Sequence, residues 1–109
     1  MPDFVVQIET NERAVHVVLT GELDLAAVPG FEDELGRAEA DQPPVLVVDL
    51  SGLRFIDSSG LRALVMADDR ARKGGRRLAI VSGPPTVSRV FELTQLDRRL
   101  EIVDDAAAV

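Results

Sequence analysis

Four consecutive residues, Asp57-Ser58-Ser59-Gly60, carry the most chemically suggestive spacing in the chain. Leu61, Leu64 and Val65 follow at helical intervals, so the two hydroxyls fall where a loop becomes the first turn of a helix. The first N–H groups of a helix lack intrahelical partners, and the aligned peptide dipoles leave partial positive charge beside them. An anion carried on Ser58 or Ser59 would therefore be accommodated. Gly60 leaves the backbone open to close approach. The same residue types suit a purely structural role, because Asp and Ser are favoured caps and either Asp57 or Ser58 could close the helix end.

Other chemistries lack the residues they need. A serine hydrolase requires a base near its nucleophile and commonly a G-x-S-x-G elbow; DSSGL differs, and the one histidine, His16, lies on the polar side of a strand pattern. No G-x-x-x-x-G-K-[ST] loop is present to cradle a nucleotide. Asp49 and Asp57 could hold magnesium as in a phosphoacceptor receiver, but no third acidic partner is placed by the sequence. Arg70, Arg72 and Lys73 precede Gly74-Gly75, where basic side chains complement a helix C-terminus and need no ligand to explain them. Cysteine is absent, which removes disulfides and thiolate zinc sites. The net charge of -7 disfavours direct binding to nucleic acid or to an anionic membrane surface. Neither a leader pattern nor an apolar stretch of membrane-spanning length occurs, so a cytoplasmic location and no membrane insertion are expected.

The elements that must position Asp57 to Gly60 begin with Val45 to Leu50, an almost unbroken β-branched run. It reads as a central parallel strand covered by helices on both faces, followed by a polar turn into the motif. Upstream, Phe4 to Glu9 and Ala14 to Thr20 read as a hairpin, with Phe4, Val6 and Ile8 sharing one face and Val15, Val17 and Leu19 another, both against a core. Gly21 to Asp24 breaks the second strand and leads into a helix over Leu25 to Ala40. That helix turns Val28, Phe31, Leu35 and Ala38 inward, and Pro29 fixes its start near Ala26 or Ala27. Asp24 could cap it. Asp41 to Pro44 is a loop, and the second helix runs from about Ser58 to Lys73. Leu78 to Val81 is a second buried strand parallel to the first. A third helix follows Gly83-Pro84-Pro85, with Val87, Val90, Phe91 and Leu93 inward and Leu96 closing its end. Glu101 to Val103 is a last short strand, and residues 104–109 form a frayed tail or a helical turn. With 46 % hydrophobic and 28 % charged residues over 109 positions, one folded domain is expected.

The segment DLSGLRFIDSSGLRALV resembles the signature of anti-sigma factor antagonists, bacterial regulators built on a STAS domain. GELDL, from Gly21 to Leu25, and KGGRRLAIV followed by VFELTQLD match in the expected order, and together these segments span most of the chain. The core motif shows no departure. The resemblance implies an α/β fold in which residues 1–109 form a single STAS domain, a mixed sheet of four to five strands with a parallel core and three to four helices. It implies a regulator and not an enzyme, with no cofactor and no metal. In that family the first serine of the motif, here Ser58, is phosphorylated by an anti-sigma factor that is also a serine kinase, and a PP2C-type phosphatase removes the phosphate. The unmodified surface, comprising Asp24, Asp57, Ser58, Ser59, Gly60 and Leu61, would dock onto the anti-sigma factor and free a sigma factor for transcription. A STAS scaffold in a signalling complex, an accessory subunit of a lipid transporter, and a small-molecule module using a crevice beyond the strand ends are the alternatives.

Overall fold

A computed structural model describes residues 3–109, with five strands lying side by side in chain order. β1 (Phe4–Thr10) and β2 (Val15–Leu23) form the expected antiparallel hairpin, with Thr10 opposite Val15. β2, β3 (Val45–Ile56), β4 (Arg77–Val81) and β5 (Glu101–Val103) are parallel. Between them run α1 (Val28–Glu39), α2 (Ser58–Lys73) and α3 (Pro85–Leu93), with short 3₁₀ turns at Leu96–Arg98 and Ala106–Ala108. The expected mixed sheet with a parallel core is thus present, β3 at its centre.

Helices were expected on both faces, and here they share one. Val17, Val48 and Ile80 stand in register and join Phe31 and Leu35 of α1, Leu61 and Leu64 of α2, and Val87 and Phe91 of α3 in a single core. The cause is topological. Crossovers between parallel strands have a nearly invariant hand, so helices change face only where strand order reverses, and this order never does. On the reverse face Ala14, Val47 and Val81 are buried beneath Ala106 and Val109, so the chain after β5 takes the covering role.

Two stretches expected to be turns are strand. Ser51 to Ile56 continues β3, and Gly21 to Leu23 continues β2. Val18 and Thr20 face Asp49 and Gly52, and Gly21 and Glu22 face Leu53 and Phe55, so β3 carries one extra residue at each of two bulges. Each insertion rotates the next side chains, and Leu50, Leu53 and Ile56 are therefore all buried at intervals of three where an unbroken strand would use two. Gly21 has φ +102, and a Cβ there would lie 2.0 Å from the Asp3 carbonyl oxygen, which makes glycine obligatory.

Two outward residues also depart from expectation. Ile8 is 37 % exposed, because Phe4 meets Phe31 edge-on at 6.2 Å at the other end of β1 and only Phe4 and Val6 of that face reach the core. Leu93 is 76 % exposed: two residues beyond Phe91, it lies on the far side of α3.

Candidate docking site around Ser58

Asp57 is the residue that assembles the site. It takes extended backbone geometry as the N-cap of α2, and its Oδ1 accepts a hydrogen bond from the Gly60 N–H at 3.0 Å. Its Oδ2 accepts from the Leu25 N–H, also at 3.0 Å, and its own N–H donates to the Leu23 carbonyl at 3.2 Å. One carboxylate therefore joins the loop after β3 to the loop after β2. Of the two capping readings, the structure supports Asp57 and leaves Ser58 as the first helical residue, exposed.

Asp24 lies on the other side of that bridge. Its Oδ1 accepts from the Ala27 N–H at 3.0 Å, and its carbonyl accepts from Ala27 and Val28, so it organises the turn that feeds α1. It is not the N-cap: that position is Ala27, with Pro in the first turn as expected. Asp24 and Asp57 therefore hold adjoining turns, and Leu25, between them and bonded to Asp57, is 71 % exposed.

The remaining motif residues divide by depth. Ser59 is half-buried, whereas Gly60 and Leu61 face inward. A Cβ on Gly60 would meet the Leu23 carbonyl oxygen at 2.8 Å and Ile56 Cγ1 at 2.9 Å, so the glycine lets α2 press against the ends of β2 and β3. Leu61 joins the core beneath it. Both therefore seat α2 against the sheet.

Sequence reasoning missed the apolar rim. Leu25 is exposed, Phe55 is 48 % exposed two residues before Asp57, and Met66 is 46 % exposed two turns along α2. Phe55 carries the only available signal: once the bulges are recognised, the burial of Leu53 and Ile56 leaves it outward. Exposed apolar side chains close to a polar motif are candidates for contact with another protein.

Other chemically suggestive residues are engaged within the chain. Arg70 binds Glu39 with two nitrogens, at 3.0 and 2.8 Å, and Arg72 donates to the Arg99 carbonyl, which occupies two members of the basic cluster. Arg72 Nε also lies 2.8 Å from Asp68 Oδ2, outside hydrogen-bond geometry. Burial pushes the Asp68 carboxyl above its ordinary value against the attraction of Arg72. Asp49 holds the Ser51 N–H through Oδ1 at 2.9 Å, most of a strand away from Asp57. His16 is half-buried on the reverse face, remote from α2.

Fold and site together define a class: a small α/β domain that displays a serine on the exposed first turn of a helix, beside apolar side chains suited to another protein. The chain belongs to the STAS domain family, whose model matches residues 5–108. It is 28 % identical over 102 residues to the anti-sigma-F factor antagonist RsfB of Mycobacterium tuberculosis, covering 93 % of this chain and 83 % of that protein. An anti-sigma-B factor antagonist of Staphylococcus aureus is 28 % identical over 91 residues, 84 % of each chain. Among solved structures, an anti-sigma factor antagonist from Mycobacterium paratuberculosis superposes with a TM-score of 0.90 at 29 % identity, covering 99 % of this chain and 92 % of that one.

Proposed function

We propose that this protein is an anti-sigma factor antagonist whose docking surface is switched by phosphorylation of Ser58. The observation that carries the proposal is the display of Ser58 on the exposed first turn of α2, directly after Asp57, which is hydrogen-bonded to exposed Leu25. Names borne by its relatives supply the partner class. In the unmodified state the surface binds an anti-sigma factor, which releases its sigma factor and permits transcription. That partner doubles as the serine kinase, and a PP2C-type phosphatase restores the unmodified serine.

Phosphorylation adds about 1.5 to 2 negative charges and a bulky group, which brings repulsion and a desolvation cost to a contact surface. Ser58→Ala binds the purified anti-sigma factor and cannot be released by ATP. Ser58→Asp stays folded and binds at least roughly tenfold more weakly, about 1.4 kcal/mol. Ser59→Ala still accepts phosphate. Equal affinities of the alanine and aspartate variants in a calorimetric titration overturn the charge switch, and loss of labelling in a folded Ser59→Ala moves the acceptor to Ser59.

A further inference from the structure

We propose a second site, unrelated to Ser58, that takes a small amphipathic anion: one anionic head on a short unbranched apolar chain. A concavity of about 420 Å³ opens where β2, β3 and β4 begin, at the opposite end of the parallel strands from the loop that carries Ser58. Its size falls within the range of small-molecule sites, roughly 300 to 1,000 Å³. Ala14, Val45 and Val47 supply an apolar floor, and the Ala106–Ala108 turn supplies a wall. The polar side chains of the lining are those of Asn11, Arg13, His16 and Arg77, Val109 closes its edge, and no lining side chain is acidic. In a chain of net charge -7 that absence is against composition, and it sets a basic rim over an apolar floor.

The basic groups are arranged to receive an anion. Among the described residues Arg13 forms no ion pair, so its guanidinium is uncommitted. Arg77 is held by Glu101, which accepts from Nε at 2.8 Å and from Nη2, leaving Nη1 free on a fixed side chain. Asn11 Oδ1 accepts the N–H groups of Arg13 and Ala14 at 2.8 and 3.0 Å, which fixes the hairpin turn and the orientation of its amide. Its Nδ2 is thereby turned toward His16 Nε2, 3.2 Å away. Planar guanidinium donors match a carboxylate head, and the valines accept an alkyl chain.

The probe is sodium octanoate, titrated into the isotopically labelled full chain and followed by amide shifts. The expected result is saturable shifts at Ala14, Val45 and Ala107, with Ser58 unmoved. Octanoate should bind more tightly than hexanoate by about fourfold per buried methylene, and 1-octanol and octylamine should bind at least about fivefold more weakly than octanoate. Arg13→Gln, an exposed turn substitution, should retain the wild-type spectrum elsewhere and weaken octanoate at least about fivefold while leaving octanol unchanged. Raising salt several-fold should weaken octanoate alone, since an exposed guanidinium is screened over about 10 Å at 0.1 M. Shifts that fail to saturate, octanol binding as tightly as octanoate, indifference to Arg13→Gln, or shifts elsewhere in the chain each overturn the assignment.

Discussion

Asp57 makes two hydrogen bonds with two oxygens, and removing them separates what each supplies. The Oδ1 bond to Gly60 is an N-cap, worth about 1 kcal/mol. The Oδ2 bond reaches Leu25, an exposed residue whose N–H regains water when the carboxylate is lost, which brings that contribution below the range for charged hydrogen bonds, to about 1 kcal/mol. Asp57→Ala should therefore lose about 2 kcal/mol, lowering Tm by about 8 °C in a domain of this size. Asp57→Ser keeps a capping oxygen but has no second one to span to Leu25, so it should lose about half as much. Urea denaturation by circular dichroism measures both, with an unchanged slope as the check that only the native state moved. Amide exchange at Leu25 isolates the bridge: it should quicken in both variants, whereas Gly60 should quicken in the alanine variant alone. An unaltered Leu25 rate in Asp57→Ala, or a stability loss under about 0.5 kcal/mol, refutes the reasoning that one carboxylate ties the two loops together.

Gly60→Ala should destabilise by about 2 kcal/mol in thermal melts, because the clash with the Leu23 carbonyl outweighs a helix-propensity gain of about 1 kcal/mol. Leu25→Ala combined with Phe55→Ala should weaken partner binding at least about tenfold while changing stability by no more than about 1 kcal/mol, since both side chains are exposed. A loss of fold with no loss of affinity would contradict the rim. The raised carboxyl of Asp68 means that the native state holds its proton more tightly than the unfolded chain does, so its contribution to stability falls as pH rises from the ordinary value of 3.8 through the native one. Asp68→Asn should therefore gain on the wild type as pH rises across that window in paired denaturation curves. A pH-independent difference between them removes burial as the cause.

Much of this architecture was legible because the signals were local. The β-branched run at Val45 to Leu50, the apolar spacing of Phe31, Leu35 and Ala38, Pro29 near a helix start, and the serine pair at the head of α2 each report on their own neighbourhood. What escaped depended on pairing. The bulges in β3 exist only relative to β2, and they turn a period of two into a period of three, so Ser51 to Ile56 resembles a turn until its partner strand is known. Exposure of Phe55 follows from the same insertion. The single-faced helix layer is likewise a property of strand order, and Ile8 carries a core pattern beyond the reach of any covering helix. The resemblance implies a docking surface around Ser58; the reach of Asp57 across 32 positions to Leu25 was visible only in the structure.

The proposed switch requires that phosphate disturb the complex far more than the fold, and the local geometry separates the two. Ser58 is exposed, and neither its own N–H nor that of Ser59 finds a partner within the chain among the described residues. A phosphate on Ser58 therefore meets unpaired donors at the positive end of α2, a favourable term of about 0.3 to 1 kcal/mol in an exposed helix. Arg62, four residues on and exposed, lies one turn along the same face. Against these stands the Asp57 carboxylate, whose oxygens are already committed to Gly60 and Leu25 and whose repulsion offsets part of the gain. The net effect on folding is small because every contributor is solvated. In a complex the same phosphate is desolvated beside Leu25 and Phe55, where an unpaired charge costs several kcal/mol. The difference between these two environments is the free energy the switch uses, and it arises because the serine sits outside the core while its cap, Asp57, bears the structural role.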